Sequence, residues 1–151
     1  MHPAMAAAIA GAFVGGALVA LQAPVNAMLA RAVNSPVNAA LVSFAVGLVA
    51  LAAVVLALGV RPNPAAVRAL PWYGWTGGLY GAVFVAVAAF AAPRMGVTYF
   101  LMVAIAGQLA MALVLDKLGA FGLPVAEITP QRLAGVLLVL AGAWLVQHRW
   151  T

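Results

Sequence analysis

The sequence holds 151 residues, of which 68% are hydrophobic and only 6% charged, and its mean hydropathy is +1.16. Soluble domains carry about a quarter charged residues, so this composition excludes a water-solvated globule and demands lipid as the solvent. Seven Lys and Arg against two Asp and Glu leave a net charge of +5, but the cations are scattered singly, so they read as topology signals rather than as a nucleic-acid surface.

The same cations divide the chain into five uncharged runs, residues 1–30, 32–60, 69–93, 95–115 and 133–148. A transmembrane helix needs about 20 mainly apolar residues, within a range of roughly 17 to 25, and each run reaches or approaches that length. The expected fold is therefore an all-α, multi-pass transmembrane bundle, one integral-membrane domain over 1–151, with helices at 5–30, 37–59, 71–92, 97–117 and 131–148.

The first run lacks a cationic leader and its apolar stretch far exceeds the roughly 7 to 15 residues of a secretory signal, so it reads as a retained helix. Within it Gln22 and Asn26 stand four apart and share a face, and the same face runs back through Gly15 and Gly11. Pro24 lies between the two amides and leaves a carbonyl without its helical donor, an irregularity tolerated only where it is buried or lines a cavity. Two roles fit this face equally: cavity lining, and close helix packing cemented by amide hydrogen bonds.

Asn34-Ser35-Pro36 supplies a turn, a cap and a helix-starting proline. The second helix carries Asn38 in its first turn and a small stripe of Ala39, Ser43 and Gly47, for which packing is the default. Arg61-Pro62-Asn63-Pro64 ends it. In the third helix Tyr73, Thr76 and Tyr80 fall on one face, with Gly74, Gly77, Gly78 and Gly81 permitting close approach. Trp72, Tyr73, Trp75 and Trp150 suit an interfacial aromatic belt, while Tyr80 lies deeper and is a candidate pathway residue.

Pro93-Arg94-Met95-Gly96 is expected to reverse the chain tightly. The fourth helix then places Gly107 and Gln108 near mid-membrane, with Met111 one turn on and Asp116 two turns on. An amide facing lipid at that depth is costly, so Gln108 requires a partner or water inside the assembly; substrate contact and structural bonding both meet the requirement. Asp116 sits near a helix C-terminus, where the dipole disfavours an anion, so a cation such as Lys117 or Arg132 is expected beside it. An interfacial ion pair is the simpler reading of Asp116 and Arg132, and ion coupling the sharper one. The connection 118–130, with Gly119, Gly122, Pro124 and Pro130, is long enough for ordered turns and too short for a domain. The fifth helix, with Gly135, Gly142 and few polar groups, suits scaffold or dimer contact.

Orientation follows from the cations. With the N-terminus inside, the inner connections hold Arg61, Arg68, Lys117 and Arg132 and the outer ones Arg31, Arg94 and Arg149. Four against three is too small an excess to fix one orientation, so insertion both ways is expected, a single weakly biased orientation being the alternative. Transporters commonly enclose a midplane site with two inverted repeats. An odd number of helices resembles one repeat alone, and an antiparallel homodimer supplies the other.

Catalytic chemistry has no foothold. His2 and His148 are terminal, no run contains a His/Asp/Glu cluster, and no nucleophile has a base at motif spacing. With no cysteine, disulfides and thiolate metal sites are excluded; no metal, cofactor, nucleic acid or enzymatic activity is expected.

The segments Gln22-Ala23-Pro24-Val25-Asn26-Ala27, Asn34-Ser35-Pro36, Ser43-Phe44-Ala45-Val46-Gly47 and Gly107-Gln108-Leu109, followed by Asp116, Gly119, Gly122, Pro124, Arg132 and Gly135, resemble the YdcZ-like family of the drug/metabolite transporter superfamily of bacterial inner-membrane proteins. The resemblance implies a five-helix half-size unit, similar to one half of ten-helix members whose halves are related by inversion, and it implies export without naming a substrate. The related small multidrug resistance proteins use a first-helix carboxylate for proton and cation exchange; this first helix has none, so that mechanism is not implied.

The sequence thus leads to a bacterial inner-membrane transporter of small molecules, paired antiparallel in the lipid bilayer, with Gln22, Asn26, Tyr80 and Gln108 lining its midplane cavity. One rival is a small dual-topology ion channel, which requires a continuous polar pore. The other is a nontransporting membrane subunit whose polar residues are consumed by packing.

Overall fold

A computed structural model describes residues 2–147. The expected helix end at 148, the loop cation Arg149 and the belt residue Trp150 lie outside them. Among the described residues the chain is entirely helical, with six α-helices, two short 3₁₀ turns and no strand. Four helices are long and apolar enough to cross a membrane: α1 (Pro3–Ala32), α2 (Pro36–Leu58), α4 (Gly77–Met95) and α5 (Val97–Leu118). A fifth apolar helix, α6 (Pro130–Gln147), is shorter, and α3 (Pro64–Arg68) is a single capped turn in the connection before α4.

Local chemistry sets these boundaries. Ser35 accepts from the Asn38 N–H at 3.2 Å and Pro36 occupies the first helical position, so α2 begins as soon as Asn34, at φ +53°, has turned the chain. Gly59 ends α2 in the left-handed conformation. Asn63 caps α3 by accepting from the N–H groups of Ala65 and Ala66. The helix expected over 71–92 is displaced: Pro71 and the 3₁₀ turn Trp72–Trp75 hold the aromatic residues outside the α-helix, which starts at Gly77. The far end differs as well. Pro93 lies inside α4, which runs on to Met95, and the helix is interrupted at Gly96, at φ +83°. Pro93 removes one helical hydrogen bond without ending the helix, whereas a residue held at positive φ outside the helical conformation ends it.

The chain divides between Arg94 and Met95 into two compact units. In the first, α1 and α2 form an antiparallel hairpin and α4 joins them through a seam of small residues, with Ala30, Ala39 and Ala89 in one buried cluster flanked by Leu29 and Val33. A Cβ on Gly81 of α4 would come within 3.1 Å of the Phe44 ring of α2, so glycine permits that approach. Alanine and glycine are what close helix packing in lipid requires, because no hydrophobic force draws apolar helices together there.

The second unit is the α5–α6 hairpin. Its seam includes Phe100, Ala106, Val136 and Ala143, all buried, and a Cβ on Gly142 would meet the Met102 methyl group at 3.1 Å. The connection is ordered by turns, as expected: Gly119 ends α5 at φ +57°, a 3₁₀ turn follows at Ala120–Gly122, and the Asp116 carbonyl accepts from both Gly119 and Ala126. Thr129 then caps α6, its hydroxyl accepting from the Arg132 N–H at 3.3 Å.

Candidate functional site

Polar groups at membrane depth define the candidate site, and helix geometry gives their depth. At 1.5 Å rise per residue, Gln22 lies about 15 Å along α1 from its C-terminal end, near the middle of a hydrocarbon core of about 30 Å. Across the hairpin, Ser43 and Gly47 lie about 10 and 16 Å from the start of α2. These three residues line one cleft of about 300 Å³ with Phe44, Leu48 and Leu51. A single amide and a single hydroxyl thus face an otherwise apolar hollow at mid-depth. Such a surface is chemically able to orient a small molecule by one or two hydrogen bonds and to hold it by apolar contact.

Asn26 is one helical turn from Gln22, yet its surroundings differ. Gln22 is exposed to the cleft, whereas Asn26 is buried with 3% exposure in the seam of Ala23, Ala27 and Ala30. Its Nδ2 has no hydrogen-bond partner. Residues four apart are offset by about 40° around a helix, enough for the stripe shared by these amides to straddle the edge of a packed seam. The small end of the stripe is open: nothing stands within 4 Å of a Cβ placed on Gly11 or Gly15. An orphaned amide donor in a buried seam costs free energy unless something else supplies an acceptor, so Asn26 is the most conspicuous polar group of the first unit.

Tyr80 lies in the first turn of α4, about 5 Å from its start, because the helix begins later than the sequence suggested. The Thr76 hydroxyl lies 2.7 Å from the Tyr73 carbonyl oxygen and 2.9 Å from the Tyr80 hydroxyl. A carbonyl can only accept, so the Thr76 proton goes to it and Tyr80 donates to Thr76. This ties the 3₁₀ turn bearing Trp72, Tyr73 and Trp75 to the mouth of α4.

In the second unit Gln108 is at the centre of α5, about 15 Å from either end, and is exposed beside the open Gly107. Met111, one turn on, is likewise exposed. Asp116 and Arg132 form the ion pair that the sequence anticipated, with Arg132 Nη1 donating to Asp116 Oδ2 at 3.0 Å. The pair borders a cleft of about 350 Å³ with Leu109, Ala112, Leu113, Gly135 and Val136. Because the Asp116 carbonyl also holds Gly119 and Ala126, this residue anchors the α5–α6 turn twice over.

Ser43 is the residue whose place beside the site went unread. In the sequence it belongs to a small stripe that packing explains, and only the pairing of depths across the α1–α2 hairpin brings it to Gln22. No group of three or more His, Cys, Asp or Glu that could hold a metal occurs among the described residues.

The profile of a family described as "Putative inner membrane exporter, YdcZ" matches residues 7–145, and the chain belongs to that family. It is accordingly an inner-membrane protein of a transporter family. No curated protein and no solved structure matches the chain.

Proposed function

We propose that this member of the YdcZ family exports a small molecule through a midplane cavity assembled by two copies in opposite orientation. The observation that carries the reading is the Gln22–Ser43–Gly47 cleft: polar groups at mid-depth on a surface otherwise apolar. Its lining fits a largely apolar substrate with one or two hydrogen-bonding groups. Gln22 in the first unit and Gln108 in the second each offer a substrate an amide at mid-depth, Asn26 lies about 6 Å nearer the Arg31 end of α1, and Tyr80 stands at the mouth of α4. Asp116 and Arg132 hold the α5–α6 turn. Because the carboxylate is already paired, its place is in holding the turn rather than in coupling an ion.

Helix α6 completes the five spans. Its 18 residues extend about 27 Å, short of the hydrocarbon thickness by an amount that slight local thinning accommodates. Five spans make half of an inverted-repeat transporter, and the second copy supplies the rest. The balance of cations supports opposite insertion: the first unit carries Arg31 and Arg94 at one membrane face and Arg61 and Arg68 at the other.

The test is export itself. Cells expressing the chain are compared with empty-vector cells by untargeted analysis of the medium, alongside Gln22→Leu and Gln108→Leu variants of matched abundance. A compound enriched outside by the wild type and lost in both variants supports the reading. Identical media from wild type and empty vector, across growth conditions in which the protein is present in the membrane, overturn it.

A further inference from the structure

Two cationic residues from distant parts of the sequence border one cleft. Arg31, at the C-terminal end of α1, and Arg94, at the C-terminal end of α4, line a single cleft of about 410 Å³ with Ala27, Ala30, Pro36, Ala89 and Pro93. Among the described residues neither arginine forms a salt bridge, and the only ion pair is Asp116 with Arg132 in the other unit. The Arg94 guanidinium is held in place by its own helix: it donates to the Phe90 carbonyl and its central carbon lies 3.7 Å from the centre of the Phe90 ring. One hydrogen bond leaves most of its five N–H donors available. Arg31 is exposed.

We propose that this cleft binds the anionic group, phosphate or carboxylate, of an amphipathic molecule whose apolar part lies against the Ala and Pro floor. Both arginines sit at helix ends and hence at headgroup depth, where basic clefts between transmembrane helices take anionic headgroups. The remaining lining is alanine and proline, side chains too small to fill the space and without acceptors of their own, so the counter-charge for the two arginines that border the cleft falls to a ligand. The favourable dipole environment of a helix C-terminus accounts for one cation at each end. It does not account for two helices bringing their cations to one open cleft with no carboxylate. The same chemistry is offered by an anionic bilayer lipid and by a soluble amphipathic anion, and the assignment stands whether or not the chain exports anything.

The full chain in neutral detergent is titrated with phosphatidylglycerol, phosphatidylcholine and hexyl phosphate, with bound adducts read by native mass spectrometry. Wild type, Arg31→Gln/Arg94→Gln and Arg31→Lys/Arg94→Lys are compared. The expectation is a preference for phosphatidylglycerol over phosphatidylcholine that weakens about fivefold per arginine neutralised and survives in the Lys variant, given roughly one unit of surface-charge attraction per cation. Preference for the lipid identifies the bilayer as the source. Binding of hexyl phosphate with the same dependence on charge, and no preference among lipids, identifies a soluble anion; either result supports the site. Equal binding of all probes, binding unchanged in the Gln variant, or loss in the Lys variant equal to that in the Gln variant overturns it.

Discussion

Replacing Asn26 by Ala separates a site residue from a packing residue by the sign of the stability change. Asn26 is 3% exposed and its Nδ2 donor is unpaired, in a seam otherwise made of alanines. Removing a buried, unsatisfied donor is worth about 1 to 3 kcal/mol in soluble proteins, and hydrogen-bond energies measured in membranes average nearer 0.6 kcal/mol. Ala adds about 0.6 kcal/mol of helix propensity over Asn. Against these stands a hollow about the size of the lost amide, costing on the order of 1 kcal/mol. The expected result is a first unit unchanged in stability or stabilised by up to about 2 kcal/mol, with export reduced. Reversible unfolding in mixed micelles gives the stability, and efflux from vesicles containing the same preparation gives the function. A loss of more than about 1 kcal/mol with export intact would refute the reasoning, because it would mean that the amide already has a structural partner and lines nothing.

Three other outcomes are expected. Reporters fused to the C-terminus should be found on both sides of the membrane, and two or three added Lys in one set of connections should trap one orientation that fails alone and is rescued by the oppositely biased variant; exclusive placement on one side rejects dual insertion. Asp116→Asn should cost less than about 1 kcal/mol, since both partners of its ion pair are about two-fifths exposed and solvent screens them, while its backbone bonds to Gly119 and Ala126 remain; a loss above about 2 kcal/mol in unfolding would show that the carboxylate is buried in the assembly. Gly119→Ala should destabilise the α5–α6 hairpin by about 1 to 2 kcal/mol or more, because φ is +57° and the new Cβ would stand 2.7 Å from a Val125 methyl, whereas Gly107→Ala, with nothing within 4 Å, should leave the hairpin as stable or firmer.

The fold was legible wherever composition and punctuation spoke together. Uncharged runs located every long helix, and Asn34-Ser35-Pro36 fixed the α1–α2 turn because cap and proline chemistry act within a few residues. The start of α4 was not legible. Residues 71–76 are as free of charge as a helix, and what keeps them out of it is Pro71 followed by a 3₁₀ turn and the bonds of Thr76 to Tyr73 and Tyr80, which a count of charges does not register. Pro93 misled in the opposite direction: α4 continues through it to Met95, and Gly96, at φ +83°, makes the break.

For the site, helical spacing identified the polar stripe but not the environment of each residue on it. Gln22 and Asn26 are neighbours by periodicity, and a seam edge running between them leaves one facing a cleft and the other buried. The position of that edge depends on where α2 and α4 pack, a tertiary fact with no local signature. The arginines show the same limit more sharply. Counted along the chain, Arg31 and Arg94 are two isolated topology signals; folded, two helices with small packing faces bring both residues to the border of one cleft. A charge that orients a helix during insertion is therefore still available to bind afterwards, and in a chain with only two carboxylates most such charges must find their counter-ions outside the protein.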